Sequence, residues 1–203
     1  DAWIRDYGPT FLTLGEGKGL VWDHSHAGLV IPAEAGIQDL DSRLTSCGND
    51  KLGRSSDNVE TRNADSPKAW CKWIFNAWGG KYPSFIKDTE IFRGSKLIPY
   101  PCFETGLVLE GGSIEVNGEG TCLTTEQCLL NTNRKPRLSR PEIEQYLKDY
   151  LGVSQIFWLS EGIVGDDTDG HIDNIARFVN PTAILAAYEK DESDENHLIL
   201  KKN

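Results

Sequence analysis

Asp6, Glu110 and His171 each stand at the head of a strand-like stretch, and their spacing nearly repeats. Asp6 lies 104 residues before Glu110, and Glu110 lies 61 before His171. Residues 27–68 fit no sustained helix or strand period, and discounting those ~40 positions leaves intervals of about 64 and 61. Spacing of this kind constrains the chain to similar units around a common centre, each delivering one polar side chain from the start of a strand. The expected class is α/β, with residues 1–203 forming a single domain.

The elements follow in order. Residues 10–14 and 20–22 read as a hairpin around Gly15-Glu16-Gly17-Lys18-Gly19. Residues 70–75 read as a strand, 87–93 as a short helix and 107–116 as a strand that contains Glu110. Asn117-Gly118 predicts a two-residue hairpin turn with a return over 121–125. A helix is predicted over 138–152: Ser139 and Glu142 form a capping box, Pro141 lies in the first turn, and Gly152 stops it. A buried strand over 153–159 and a strand pair over 171–179 and 183–187 come next, then an acidic turn over 191–195.

The excursion at 27–68 is an insertion or a disordered loop within the domain. Its phrase Val30-Ile31-Pro32-Ala33-Glu34-Ala35-Gly36-Ile37-Gln38 resembles the translated product of a dispersed bacterial repeat element.

Charge narrows the partners. A net charge of −10 opposes a phosphate backbone, so nucleic acid is not expected, whereas small cationic ligands are favoured. No apolar run approaches the ~18 residues that cross a bilayer, so no membrane association is expected. Five cysteines without a CxxC pair suggest reduced thiols and a cytoplasmic location. The chain has no methionine and opens at Asp1 inside a motif, which suggests an internal stretch of a longer protein.

The densest chemistry lies in Gly165-Asp166-Asp167-Thr168-Asp169-Gly170-His171-Ile172-Asp173-Asn174. If 171–173 is extended, His171 and Asp173 share a face, with Asp167 and Asp169 on the approach. A histidine among carboxylates suits a cationic ligand and proton transfer near neutral pH. The stretch also reads as an acidic turn feeding a strand, or as a metal site, although no second histidine or cysteine stands at ligand spacing. Glu110, in an apolar run before Gly111-Gly112, needs a partner or a cation if buried. Asp6 reads equally as a turn acid beside Arg5, and Trp78 as core or as a pocket wall.

Five motifs carry a resemblance: Trp3-Ile4-Arg5-Asp6-Tyr7-Gly8-Pro9, Phe75-Asn76-Ala77-Trp78-Gly79-Gly80-Lys81-Tyr82, Leu109-Glu110-Gly111-Gly112-Ser113, Thr124-Thr125-Glu126-Gln127-Cys128-Leu129-Leu130-Asn131 and 166–173. Together they resemble the agmatine deiminase (agmatine iminohydrolase) family, which includes bacterial peptidyl-arginine deiminases. The resemblance implies the pentein fold, an α/β propeller of ββαβ modules around a pseudo-fivefold axis, with about three of five modules present here. It implies hydrolysis of agmatine to N-carbamoylputrescine and ammonia in polyamine and putrescine synthesis, without cofactor or metal. By matching position, Asp6, Glu110 and Asp173 would hold the guanidinium group and His171 would be the acid/base, with Trp3, Asp167 and Trp78 contributing to substrate binding.

In that family a cysteine thiolate attacks the guanidinium carbon, from a motif that Cys47, Cys71, Cys102, Cys122 and Cys128 do not match. The 203-residue chain alone is therefore expected to be inactive. Peptidyl-arginine or arginine deimination is the alternative activity, and a noncatalytic guanidinium- or polyamine-binding remnant is the alternative of another class. Open sheet edges make homo-oligomerisation an expectation as well.

Overall fold

In the computed structural model the described residues are 6, 8–13, 68–90, 98, 100–134 and 136–203, the side chains of 11–13, 68 and 86 excepted. The excursion at 27–68 (Lys68 apart), the return strand at 20–22, Trp3 and Cys47 lie outside them.

One pairing pattern recurs. Strand β1 (Thr10–Thr13) pairs antiparallel with β2 (Lys68–Ile74), which pairs parallel with β3 (Cys102–Val108). Strand β4 (Glu115–Val116) likewise pairs antiparallel with β5 (Thr121–Thr125), which pairs parallel with β6 (Gln155–Leu159). Strands β7 (Ala176–Asn180) and β8 (Ala183–Ala186) form a further antiparallel pair. Positions 6, 110 and 171 precede β1, β4 and β7 by four or five residues, so each polar group feeds the first strand of its unit.

A parallel pair needs a long crossover. Between β5 and β6 it is supplied by α1 (Glu126–Leu129) and α2 (Arg140–Leu151). Helix α2 starts at the capping box of Ser139 and Glu142 and stops at Gly152, which takes the left-handed conformation at φ 62°. Its buried Ile143, Leu147 and Leu151 join Cys71, Trp73, Leu107, Val116 and Cys122 in one core spanning β2 to β5. Burying each large aliphatic side chain contributes about 1.5–3 kcal/mol. The other face of β5 puts Leu123 against Ile172, Ile175 and Ala176. With apolar residues on both faces, β5 anchors the run that leads from His171 into β7.

Several expectations need correction. Residues 172–174 are not extended: Ile172–Asn174 forms a 3-10 turn, and the strand begins only at Ala176. Glu110 lies between β3 and the 3-10 turn Gly111–Ser113, not within a strand. The β4–β5 hairpin loop spans residues 117–120 rather than two residues. Asn117 Oδ1 holds that loop by accepting from the Glu119 and Thr121 amides at 2.8 and 2.9 Å. The strand expected to be buried over 153–159 is β6, which among the described residues lies at its sheet's edge, and its Phe157 is 55% exposed. The short helix expected over 87–93 is instead a 3-10 helix, Pro83–Glu90. Helix α3 (Asn196–Lys202) was not foreseen, because the apolar run at 198–200 carries no helical period. Among the described residues no helix is long and apolar enough to cross a membrane.

Candidate active site

Asp166 builds the loop that carries His171. Its carboxylate accepts from the Thr168, Gly170 and His171 amides at 2.9, 2.9 and 3.0 Å, and from the Thr168 hydroxyl at 2.6 Å. The loop turns through left-handed Asp169 and Gly170, and Thr125 Oγ1 donates to the Gly170 carbonyl at 2.6 Å. No side chain fits at Gly170, where a Cβ would meet Gln127 Oε1 at 2.5 Å and the Gly162 amide at 2.9 Å.

His171, only 2% exposed, stands between two carboxylates. Its Nδ1 is 3.9 Å from Asp6 Oδ1 and its Nε2 is 3.9 Å from Glu110 Oε2. Nε2 is buried and makes no hydrogen bond among the described residues. Asp173 approaches the same place despite the 3-10 turn. A Cβ added to Gly112 would lie 2.5 Å from His171 Nδ1, 2.9 Å from Asp6 Oδ1 and 3.0 Å from Asp173 Oδ2. The sequence-selected Asp6, Glu110, His171 and Asp173 therefore come together, and the missing side chain of Gly112 lets three of them close around one point.

Asp6 is fixed by the Gly112 amide at 2.8 Å and by the Trp78 indole N–H at 3.1 Å. Trp78 is delivered by a run of left-handed residues, Ala77, Trp78, Gly79 and Gly80, two of which bear side chains that resist this conformation. Asn76 holds the run by accepting from the Gly79 amide at 2.7 Å. Trp78 is buried edge-on against Phe75, Tyr82 and Phe85, so it backs Asp6. Asp167 is exposed, with its carboxylate accepting from the Tyr82 hydroxyl.

Sequence reasoning missed Arg134, which is 3% exposed and pairs with Glu110 through Nε, 2.9 Å from Oε1. Burial pulls its guanidinium toward deprotonation, but Glu110 and Asp169 more than offset this and raise its pKa. The available signal was Glu110 itself, since an acid in an apolar run calls for a buried cation.

Burial pushes the Asp166 carboxyl up, but the hydrogen bonds from Thr168, His171 and Asn174 outweigh it and hold it below the usual aspartate range. Asp169 is lowered in the same way, burial being outweighed by Lys81, Asn133 and Arg134. A carboxylate depressed in the native state contributes stability that is complete above its unfolded value near ~4 and lost as pH falls through its native value. Asp166→Asn is therefore expected to flatten the loss of stability below about pH 4, measured as urea midpoint against pH beside the wild type.

The Cys128 sulfur lies within 4.8 Å of a His171 ring nitrogen. Burial first, then the negative charge of Glu110, pushes the Cys128 thiol well above the usual thiol range, so it is no thiolate nucleophile. Burial likewise raises Cys71, and Cys122 to about 12. Among the described residues Glu110, Cys128 and His171 offer ligand atoms within 4.8 Å of one another. The Arg134 guanidinium at Glu110 and the protonated thiol oppose a metal cation there.

The model of the family described as Porphyromonas-type peptidyl-arginine deiminase matches residues 1–203. Agmatine deiminase of Stutzerimonas stutzeri is 39% identical over 204 residues, covering 97% of this chain and 42% of that protein. Among solved structures, the Enterococcus faecalis agmatine deiminase aligns with a TM-score of 0.67 at 29% identity, over 98% of this chain and 43% of its own. A C. jejuni agmatine deiminase with substrate bound aligns at 0.60 and 39% identity, over 67% of this chain and 41% of its own. The chain thus spans less than half the length of the curated relatives it matches.

Proposed function

This chain belongs to the Porphyromonas-type peptidyl-arginine deiminase family, and from that premise we propose that Asp6, Glu110, His171 and Asp173 form the guanidinium-handling part of an agmatine deiminase site. The observation that carries the reading is the closure of Asp6, His171 and Asp173 around Gly112, with Glu110 at the far imidazole nitrogen. A guanidinium offers planar N–H donors that carboxylates accept in pairs, and it relieves the repulsion among acids held together. The likeness to relatives named agmatine deiminase supports agmatine as the substrate, with N-carbamoylputrescine and ammonia as products.

In this reading the acids orient the substrate carbon for a thiolate. Ammonia leaves with a proton from His171, and the neutral imidazole then takes a proton from the water that releases the product. His171 Nε2, without a hydrogen bond among the described residues, is the nitrogen assigned to that task. The nucleophile is not among the four described cysteines: three are buried, and Cys102, half-buried, is placed with β3. The pentein arrangement of five modules, and Asp167 as a contact for the amine tail, belong to the same proposal. It is supported by the repeated antiparallel-then-parallel pairing and by the exposed acid beside Tyr82.

Arginine and peptidyl-arginine are the second reading, favoured by the family description. An arginine carboxylate would need a free cation, yet Arg134 spends four N–H contacts on Glu110, Asn133, Asp169 and Thr168. Agmatine, which has no carboxylate, does not need one.

Calorimetric titration of the 203-residue chain with agmatine, alongside an ammonia assay, tests the reading. The expected result is saturable binding that weakens in Asp173→Asn, with no ammonia release. Failure to bind would overturn the guanidinium site, preference for arginine would establish the second reading, and turnover at an enzymatic rate would place a working nucleophile within this chain.

A further inference from the structure

We infer that Arg134 is a positioning residue, a built-in guanidinium that locks Glu110 to the loop carrying His171. The inference rests on the guanidinium-site reading and deepens it. Arg134 Nε lies 2.9 Å from Glu110 Oε1 and donates to Oε2 at 3.2 Å. Nη1 donates to Asp169 Oδ2 at 2.6 Å and to Asn133 Oδ1 at 2.7 Å, and Nη2 donates to the Thr168 carbonyl at 2.8 Å. Thr168 and Asp169 sit within the loop that Asp166 folds, directly ahead of His171.

One rigid side chain therefore fixes both the acid at the Nε2 side of the imidazole and the segment that presents the imidazole. Asn133 Nδ2 also donates to Asp169 Oδ2 at 2.9 Å, and the Asn133 carbonyl accepts from Asn76 Nδ2 at 2.8 Å. Through Asn76 the network reaches the Trp78 turn that backs Asp6. The planar fork is essential to this linkage: a lysine would keep the charge but could not address the acid, the aspartate and the carbonyl in fixed directions.

Arg134→Lys in the 203-residue chain is the test, because it leaves Glu110 a cation, and a urea unfolding curve beside the wild type checks that the variant is folded. Two signals are read: the His171 ring resonance in NMR, assigned by its loss in His171→Gln, and agmatine affinity. The resonance is expected to move, and affinity to fall roughly ten- to hundredfold. The fall should vanish when the same substitution is made on Glu110→Gln. An unmoved resonance overturns the inference, as does an affinity loss of equal size with and without Glu110. If the wild type binds no agmatine, the functional reading falls, and the His171 resonance of Arg134→Lys alone decides the positioning role.

Discussion

Gly112→Ala is expected to cut agmatine affinity by roughly ten- to a hundredfold, the scale of forcing one extra methyl into a filled site. The effect is steric. Gly112 is absent from the positive-φ residues, so alanine can adopt its backbone conformation without strain. The added methyl would, however, sit 2.5 Å from His171 Nδ1 and 2.9 Å from Asp6 Oδ1. Neither neighbour can easily yield, because His171 is held through its amide by Asp166, and Asp6 is held by Trp78. Stability should fall by about 1–3 kcal/mol, the usual range for overpacking. Calorimetric titration beside a urea unfolding curve separates the two effects. Unchanged affinity in a folded Gly112→Ala protein would mean that the convergence around Gly112 is not where the ligand sits.

Glu110→Gln is expected to lower stability by about 1–3 kcal/mol, because it removes one of the two carboxylates that balance the buried Arg134 and leaves Asp169 as its remaining counter-charge. This separates Glu110 from the other two acids. Asp173 is only half-buried, and Asp173→Asn should weaken agmatine binding with a smaller loss of stability. In a chain that already carries Arg134→Met, the Glu110→Gln penalty should largely disappear, as a double-mutant cycle on unfolding free energy would show. A cost unchanged by the loss of Arg134 would mean that the ion pair is not what Glu110 supports.

The site was partly legible in the sequence for a physical reason. Asp6, Glu110 and His171 each precede the first strand of an antiparallel pair by four or five residues, so a polar residue at the head of a strand-like stretch was the local signal to read. Helix α2 was legible because its cap, first-turn proline and stop all lie within one short segment. Arg134 was not, because its surroundings, Asn131-Thr132-Asn133 before it and Pro136 after it, read as an ordinary polar loop. Only the long-range pairing with Glu110 makes it a buried group. The 3-10 turn at 172–174 escaped for a related reason. Ile172 is apolar in a strand or a turn alike, and its burial against Leu123 is decided by tertiary packing. Asp166 carried a local signal that acids on the approach to His171 obscured: an aspartate followed two residues later by threonine commonly folds back on its own backbone.

The hydrogen bond between Gly112 and Asp6 joins residues 106 positions apart, and that between Trp78 and Asp6 joins residues 72 apart. Helix α2 and the β4–β5 hairpin instead form from near neighbours in the chain. Entropy makes distant closures slow, and they are rewarded only once the intervening segments have condensed. During refolding, helical signal should thus recover before the acids are gathered, and tryptophan shielding, which needs the same distant closures, should return together with ligand competence.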